Sequence, residues 1–214
     1  MEKIIAFSNK TEARDKFTKA IQYSAKIIAW SIRSYNKSYY KRFNEVYLMT
    51  RDARKVFRLF RSVQEIKTIN DKIKDLLSKN EKFTVLCEIF SRIGFLIHWI
   101  FDNFFILATV KMINSDHLNY YSYYAHMGWL VGILWELLKN LYELLIISIS
   151  NPQDKKKFIE IMISIVGKLG DILPASSGVN MTEKLLGFQP NDGLIGIGGL
   201  TSAIIAMWGL WNQF

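Results

Sequence analysis

The chain has 214 residues, half of them apolar, with 28 Lys and Arg against 19 Asp and Glu for a formal charge of +9. Its single cysteine, Cys87, excludes an internal disulfide framework and a multi-thiolate metal site. Three prolines and no alternating apolar–polar runs exclude a sheet protein, and a slightly positive mean hydropathy at 22% charged residues describes a chain partly in water and partly in lipid.

Charge divides the chain in two. Residues 1–82 hold 20 Lys and Arg and 9 acids, a net +11, whereas residues 83–214 hold 8 and 10, a net −2. The first is read as a basic amphipathic helical region, the second as a membrane-embedded helical region. A basic segment attached to apolar spans seeks anionic phospholipid rather than nucleic acid. The Lys/Arg excess assigns it to the cytosolic or matrix side. The opening MEKIIAFSNKTEARDKF lacks the apolar core and small-residue cleavage site of a secretory signal.

The first predicted helix covers residues 11–35, with Thr11 as its cap and Ala13, Phe17, Ala20, Ile21, Ile27 and Ile28 on an apolar face. Residues 34–41 read as a turn. A second helix is predicted over residues 44–77. Val46, Met49, Ala53, Val56, Phe60 and Val63 step along one side, and Arg51, Arg54, Lys55, Arg58 and Arg61 along the other. Such a helix either lies in the plane of a bilayer, with Val56, Phe57 and Phe60 buried and the cations on lipid phosphates, or packs in a bundle with a solvated face.

Residues 93–112 form an apolar segment with Asp102 and Asn103 in its middle, where a carboxylate must face protein, water or a partner. Residues 114–126 read as a connector whose four tyrosines suit a membrane–water boundary. In residues 127–149, Glu136, Lys139 and Glu143 share one face, which turns inward or leaves the helix partly in the interface. Asn151-Pro152 ends that segment. Residues 158–173 are apolar but short for a span, and a loop broken by Pro174, Gly178, Gly187 and Pro190 follows.

Residues 193–214 carry no charge, and about 20 helical residues cross a ~30 Å hydrocarbon core. This stretch is the predicted C-terminal transmembrane helix. Gly198, Ser202 and Ala206, with Gly199 and Ala203 beside them, make a small-residue face that lets helices approach in lipid. The architecture expected is therefore all-α: an integral membrane helical bundle with N-terminal basic amphipathic helices.

No catalytic or metal constellation is apparent. His98, His117 and His126 are dispersed without ligand spacing, and the glycines at 196, 198 and 199 lack the strand and the Gly-Lys-Ser/Thr of a phosphate loop. The expectation is a protein without enzymatic activity, cofactor or metal.

Four stretches in order resemble the peroxisomal biogenesis factor 11 family, whose members elongate the peroxisomal membrane. They are Ala13 to Lys16 with Ile21, Gln22, Tyr23 and Lys26; Thr50 to Leu59; Phe101 to Asn103; and Lys168 to Asp171 with Ala175, followed by Gly193 to Trp208. The resemblance implies an integral protein of the peroxisomal membrane that promotes organelle elongation and fission through an amphipathic helix in the cytosolic leaflet. It also implies self-association or contact with other membrane subunits. Two other readings stay open: an accessory subunit of a larger complex, for instance in the mitochondrial inner membrane, and a small-metabolite channel lined by Asp102 and Glu136.

Overall fold

The computed structural model describes residues 1–78 and 81–213, with Leu186 described by its backbone alone. The regular elements among them are helical: α1 (Glu2–Asn9), α2 (Thr11–Ile32), α3 (Lys37–Phe57), α4 (Arg61–Ser78), α5 (Lys82–Thr109), α6 (Leu118–Ile146), α7 (Pro152–Ser177), α8 (Met181–Leu186) and α9 (Asp192–Trp211), with a 3-10 turn at Ser115–His117. The chain is an all-α membrane protein, and α5 and α9 are long and apolar enough to cross a bilayer. Two compact units form, one from residues 1–58 and 169–214, the other from residues 59–168. They cut across the division at residue 82, which follows charge rather than packing.

In the first unit α2 and α3 make an antiparallel hairpin. Asn36 starts α3, its Oδ1 accepting from the Ser38 and Tyr39 amides at 3.1 Å. Along another side of α2 runs α9, also antiparallel: Gly193 meets Trp30, Gly196 meets Ile27, Gly199 meets Tyr23 and Ser202 meets Lys19. A Cβ at Gly193, Gly196 or Gly199 would fall 2.5–2.7 Å from those side chains, so the helices touch only because these positions are bare. The end of α7 meets α9 through Gly170, whose Cβ would lie 2.5 Å from the Gly198 carbonyl oxygen.

The second unit is built on an α5–α6 antiparallel hairpin. Phe83 pairs with Tyr142, Phe90 with Trp135, Phe101 with Tyr124 and Phe104 with Tyr121. Gly94, Gly128 and Gly132 hold it closed, since a Cβ at Gly94 would sit 2.6 Å from the Gly132 backbone nitrogen. Helix α4 packs against α5. The start of α7 meets α6 through Asn140, which donates to Ser164 Oγ at 2.8 Å.

Several boundaries differ from the sequence reading. The helix expected over residues 44–77 is two helices, separated by Arg58, Leu59 and Phe60, with Phe60 in the left-handed region at φ 61°. Its apolar repeat continues through the break, and neither glycine nor proline marks it. The four tyrosines belong to α6 rather than to a connector. Thr11 is the first helical residue instead of the cap, and Lys10 takes that position. Helix α7 outruns the short apolar segment at both ends: Pro152 occupies its first position, where a missing N–H costs nothing, and Pro174 lies within it. Phe214, the last residue of the predicted terminal span, lies outside the described residues, as do positions 79 and 80 of the predicted loop.

Candidate functional site

Two arrangements stand out: a buried polar network in the first unit and an amphipathic surface helix in the second. The network starts at Asp15 on α2, which is 2% exposed. Arg54 of α3 donates from Nε to its Oδ1 at 3.0 Å and from Nη1 to Gln22 Oε1 at 2.7 Å. One turn on from Asp15, Lys19 donates to Asp171 at 2.7 Å and to Ser202 at 2.7 Å, and Ser202 donates to Asp171 at 2.5 Å. Burial alone would push the Asp15 carboxyl up, but Arg54, Lys16 and Arg58 outweigh it and hold the group well below the usual carboxylate range.

This network takes one predicted lipid contact out of the surface. Arg54 faces α2, because Asp15 is buried there and needs a cation. Lys55 is buried too, and its Nζ stands 2.8 Å from Asp52. Arg51 also pairs with Asp52, at 3.1 Å, and stays partly exposed. On Asp52, burial raises the pKa, but hydrogen bonds from Arg51 and Lys55, with the charges of both, together outweigh it and lower the pKa overall.

Of the remaining membrane-binding residues expected, Val56 is 65% and Phe60 75% exposed, while Phe57 is half-buried. Arg58 bonds back to the Arg54 carbonyl oxygen at 3.1 Å, and Arg61 lies over the Trp99 ring at 5.2 Å. Beyond the break, α4 is the most amphipathic of the helices. Val63, Ile66, Ile73 and Leu77 form an exposed apolar stripe flanked by exposed Lys67 and Lys74, while Glu65 turns inward towards Arg92 and Trp99. Periodicity contained this stripe, but the run of arginines drew attention to the residues before it.

The predicted packing face of α9 lies largely inside. Gly198, Gly199, Ser202 and Ala203 are buried, and Ala206 is half-buried. Sequence reasoning missed a second such face, for which Gly128 and Gly132, four apart on α6, were the signal. Asp102 is buried on α5. Glu136 pairs with Lys168 and with Arg92, the latter at 3.6 Å, and Lys139 pairs with Glu88 at 2.9 Å. These side chains and Asn140 line a polar cavity of about 90 Å³. The acidic–basic face of α6 therefore turns inward. Among the described residues, no three His, Cys, Asp or Glu side chains gather in an arrangement that could hold a metal ion.

The family model for peroxisomal biogenesis factor 11 (PEX11) matches residues 1–211. A peroxisomal membrane protein 11 homolog of Dictyostelium discoideum is 22% identical over an alignment of 246 residues that covers all of this chain and 95% of that protein. No solved structure matches. The stretches that carry the resemblance, far apart in sequence, supply Gln22 and Tyr23, Arg54, Asp171 and Ser202, which meet around Asp15 and Lys19. The chain belongs to the peroxisomal biogenesis factor 11 family and is a protein of the peroxisomal membrane that takes part in peroxisome biogenesis.

Proposed function

We propose that the protein shapes the peroxisomal membrane without catalysis, elongating the organelle ahead of fission by inserting an amphipathic helix into the cytosolic leaflet. The observation that carries this reading is the stripe of Val63, Ile66, Ile73 and Leu77 on α4, left exposed beside Lys67 and Lys74. Apolar side chains pressed into one leaflet expand it relative to the other and favour outward curvature, while nearby cations hold the helix to anionic headgroups. Val56 and Phe60 extend the apolar surface, and Arg51, Arg58 and Arg61 add phosphate contacts. Arg54, Lys55 and Phe57 act from within by fixing α3.

Anionic phospholipid is the partner in this reading. The small-residue faces on α6 and α9 serve helix packing within the chain, and further copies or other membrane subunits associate through surfaces that these faces leave free. The test is reconstitution of the full chain with anionic vesicles, scored for tubulation as salt rises. Wild type is expected to tubulate at low salt and progressively less at high salt. Ile66→Glu with Ile73→Glu is expected to abolish tubulation while the protein stays membrane-integral. Undiminished tubulation by that variant would sink the proposal.

A further inference from the structure

The polar cavity of the second unit is walled by α5, α6 and α7, and α4 reaches its edge through Glu65, which meets Arg92. Ser91 of α5 lines it and is 1% exposed, yet its Oγ has no hydrogen-bond partner among the described residues. A buried helical serine ordinarily bonds back to the carbonyl four residues earlier, as the Thr109 hydroxyl does to Phe105 at 2.7 Å. A hydroxyl left bare in a protein interior is costly unless an occupant of the cavity meets it. The space of about 90 Å³ has room for roughly three waters or one small polyatomic ion.

The chemistry of the wall selects among these occupants. Its carboxylates are already engaged: Glu136 pairs with Lys168 and Arg92, and Glu88 pairs with Lys139 at 2.9 Å and with Lys72 at 2.5 Å. Its donors are less fully used. Arg92 reaches Glu65 and Glu136 only at 3.5 and 3.6 Å, longer than a good charge-assisted bond. Ser164 accepts from Asn140 and keeps its own hydrogen to give. A metal ion would find both carboxylates held by cations, and among the described residues no three His, Cys, Asp or Glu side chains gather to ligate one. Water brings donors as well as acceptors, whereas an oxyanion brings acceptors alone. Arg92, Lys139 and Lys168 face Glu88 and Glu136 across the space, so one negative charge balances the wall. Outside it, Glu65 and Glu143 share two of these cations and Lys72 shares Glu88, which keeps the attraction modest.

We propose that this cavity binds a phosphate group, with Arg92 and Lys168 on its oxygens and the Ser91 and Ser164 hydroxyls donating to it. The guanidinium fork suits two phosphate oxygens at once. The Arg92 and Lys168 side chains are 35% and 29% exposed and flank the way in, while Ser91 lies at the buried end. A phosphate held there bridges α5 and α7 and engages the same arginine that meets α4 through Glu65, so occupancy tightens the second unit. The site lies wholly within residues 59–168 and does not rest on the leaflet-wedge reading of α4.

The test uses the purified full chain in phosphate-free detergent, titrated with inorganic phosphate and followed by thermal unfolding and by equilibrium dialysis of labelled phosphate. Phosphate should raise the unfolding midpoint saturably, and chloride at equal ionic strength should not. Arg92→Gln and Lys168→Gln should each weaken binding at least about ten-fold, and Ser91→Ala about five-fold. Without phosphate, Ser91→Ala should unfold at or above the wild-type midpoint, since it removes the bare hydroxyl. This variant carries the test even where a charge variant fails to fold. Glu136→Gln should tighten binding, the opposite of its effect on a cation site. Lys156→Gln, an exposed cation elsewhere on α7, should change nothing. No saturable binding, undiminished affinity in Ser91→Ala, or equal losses in Lys156→Gln and Lys168→Gln would overturn the site. Dialysis of the chain in phosphatidylcholine nanodiscs with and without phosphatidic acid separates the sources. Competition by phosphatidic acid identifies a lipid headgroup as the ligand, and its absence identifies a soluble phosphate.

Discussion

Arg54 on α3 and Asp15 on α2 stand 3.0 Å apart, and this one bond joins two stretches that separately carry the resemblance to the family. Removing the arginine would leave a buried carboxylate without its main cation, a change that costs about 3–5 kcal/mol. Arg54→Ala should lower the unfolding midpoint of the purified protein in detergent. Arg54→Lys should recover little, since it also loses the second donor, to Gln22. The double variant Asp15→Asn with Arg54→Met should cost less than the sum of the single changes.

Acid should weaken the first unit through the same carboxylate. The folded-state pKa of Asp15 is depressed, so its contribution is fully present above the unfolded carboxylate value of ~3.9 and is lost as pH falls through the folded value. Unfolding followed from pH 6 downward should therefore show a drop below about pH 4 that is smaller in Asp15→Asn. An equal drop in both proteins would place the acid sensitivity elsewhere.

Phe60 separates two properties that are usually confounded. Its φ of 61° is costly for a residue with a Cβ, by about 1–2 kcal/mol, and glycine adopts it freely. Phe60→Gly should raise stability by up to about 1 kcal/mol and, if the ring enters lipid, weaken vesicle binding in the same preparation.

The glycine contacts predict a sharp contrast between positions. Gly94→Val would drive side-chain atoms into the Gly132 backbone, which cannot move aside cheaply, at a cost of at least about 1–3 kcal/mol. A Cβ at Gly209 meets nothing within 4 Å, so Gly209→Ala should be neutral or stabilise α9 by up to about 1 kcal/mol. Thermal unfolding of the two variants checks both.

Asp52 sits between Arg51 and Lys55 and offsets part of their charge towards a membrane. Asp52→Asn should tighten binding to phosphatidylglycerol vesicles by up to about five-fold, the equivalent of ~1 kcal/mol for one surface charge. Because the Asp52 pKa is lowered, this gain should persist at neutral pH and shrink only as wild type is itself protonated in acid. Cosedimentation at several pH values measures it.

Much of the fold was legible in the sequence. Uncharged length marked α9, and three- and four-residue spacing marked α2. The inward face of α6 was visible in Glu136, Lys139 and Glu143, although their partners on α5 and α7 were not. What stayed hidden has a common cause. Helical periodicity reports that a face is apolar or basic but not which face is covered, and in lipid the ordinary answer reverses. The outward stripe of α3 is the apolar one, through Met49, Ala53 and Val56, whereas Arg54 and Lys55 go inside. The break at Phe60 was hidden for another reason, since a left-handed residue need not be glycine and this one leaves the apolar repeat in step.

The contact between Lys19 and Ser202 spans 183 residues of chain. During synthesis at about 5–20 residues per second, roughly 10–40 s separate the emergence of the two partners. Residues 59–168 can close on themselves within that interval. For the same period Lys19 has neither Asp171 nor Ser202, and Tyr23 lacks the helix that covers it. The N-terminal hairpin must therefore be held by water, a chaperone or the membrane surface until α9 arrives, and so the first unit, although it holds the earliest residues, is completed after the second.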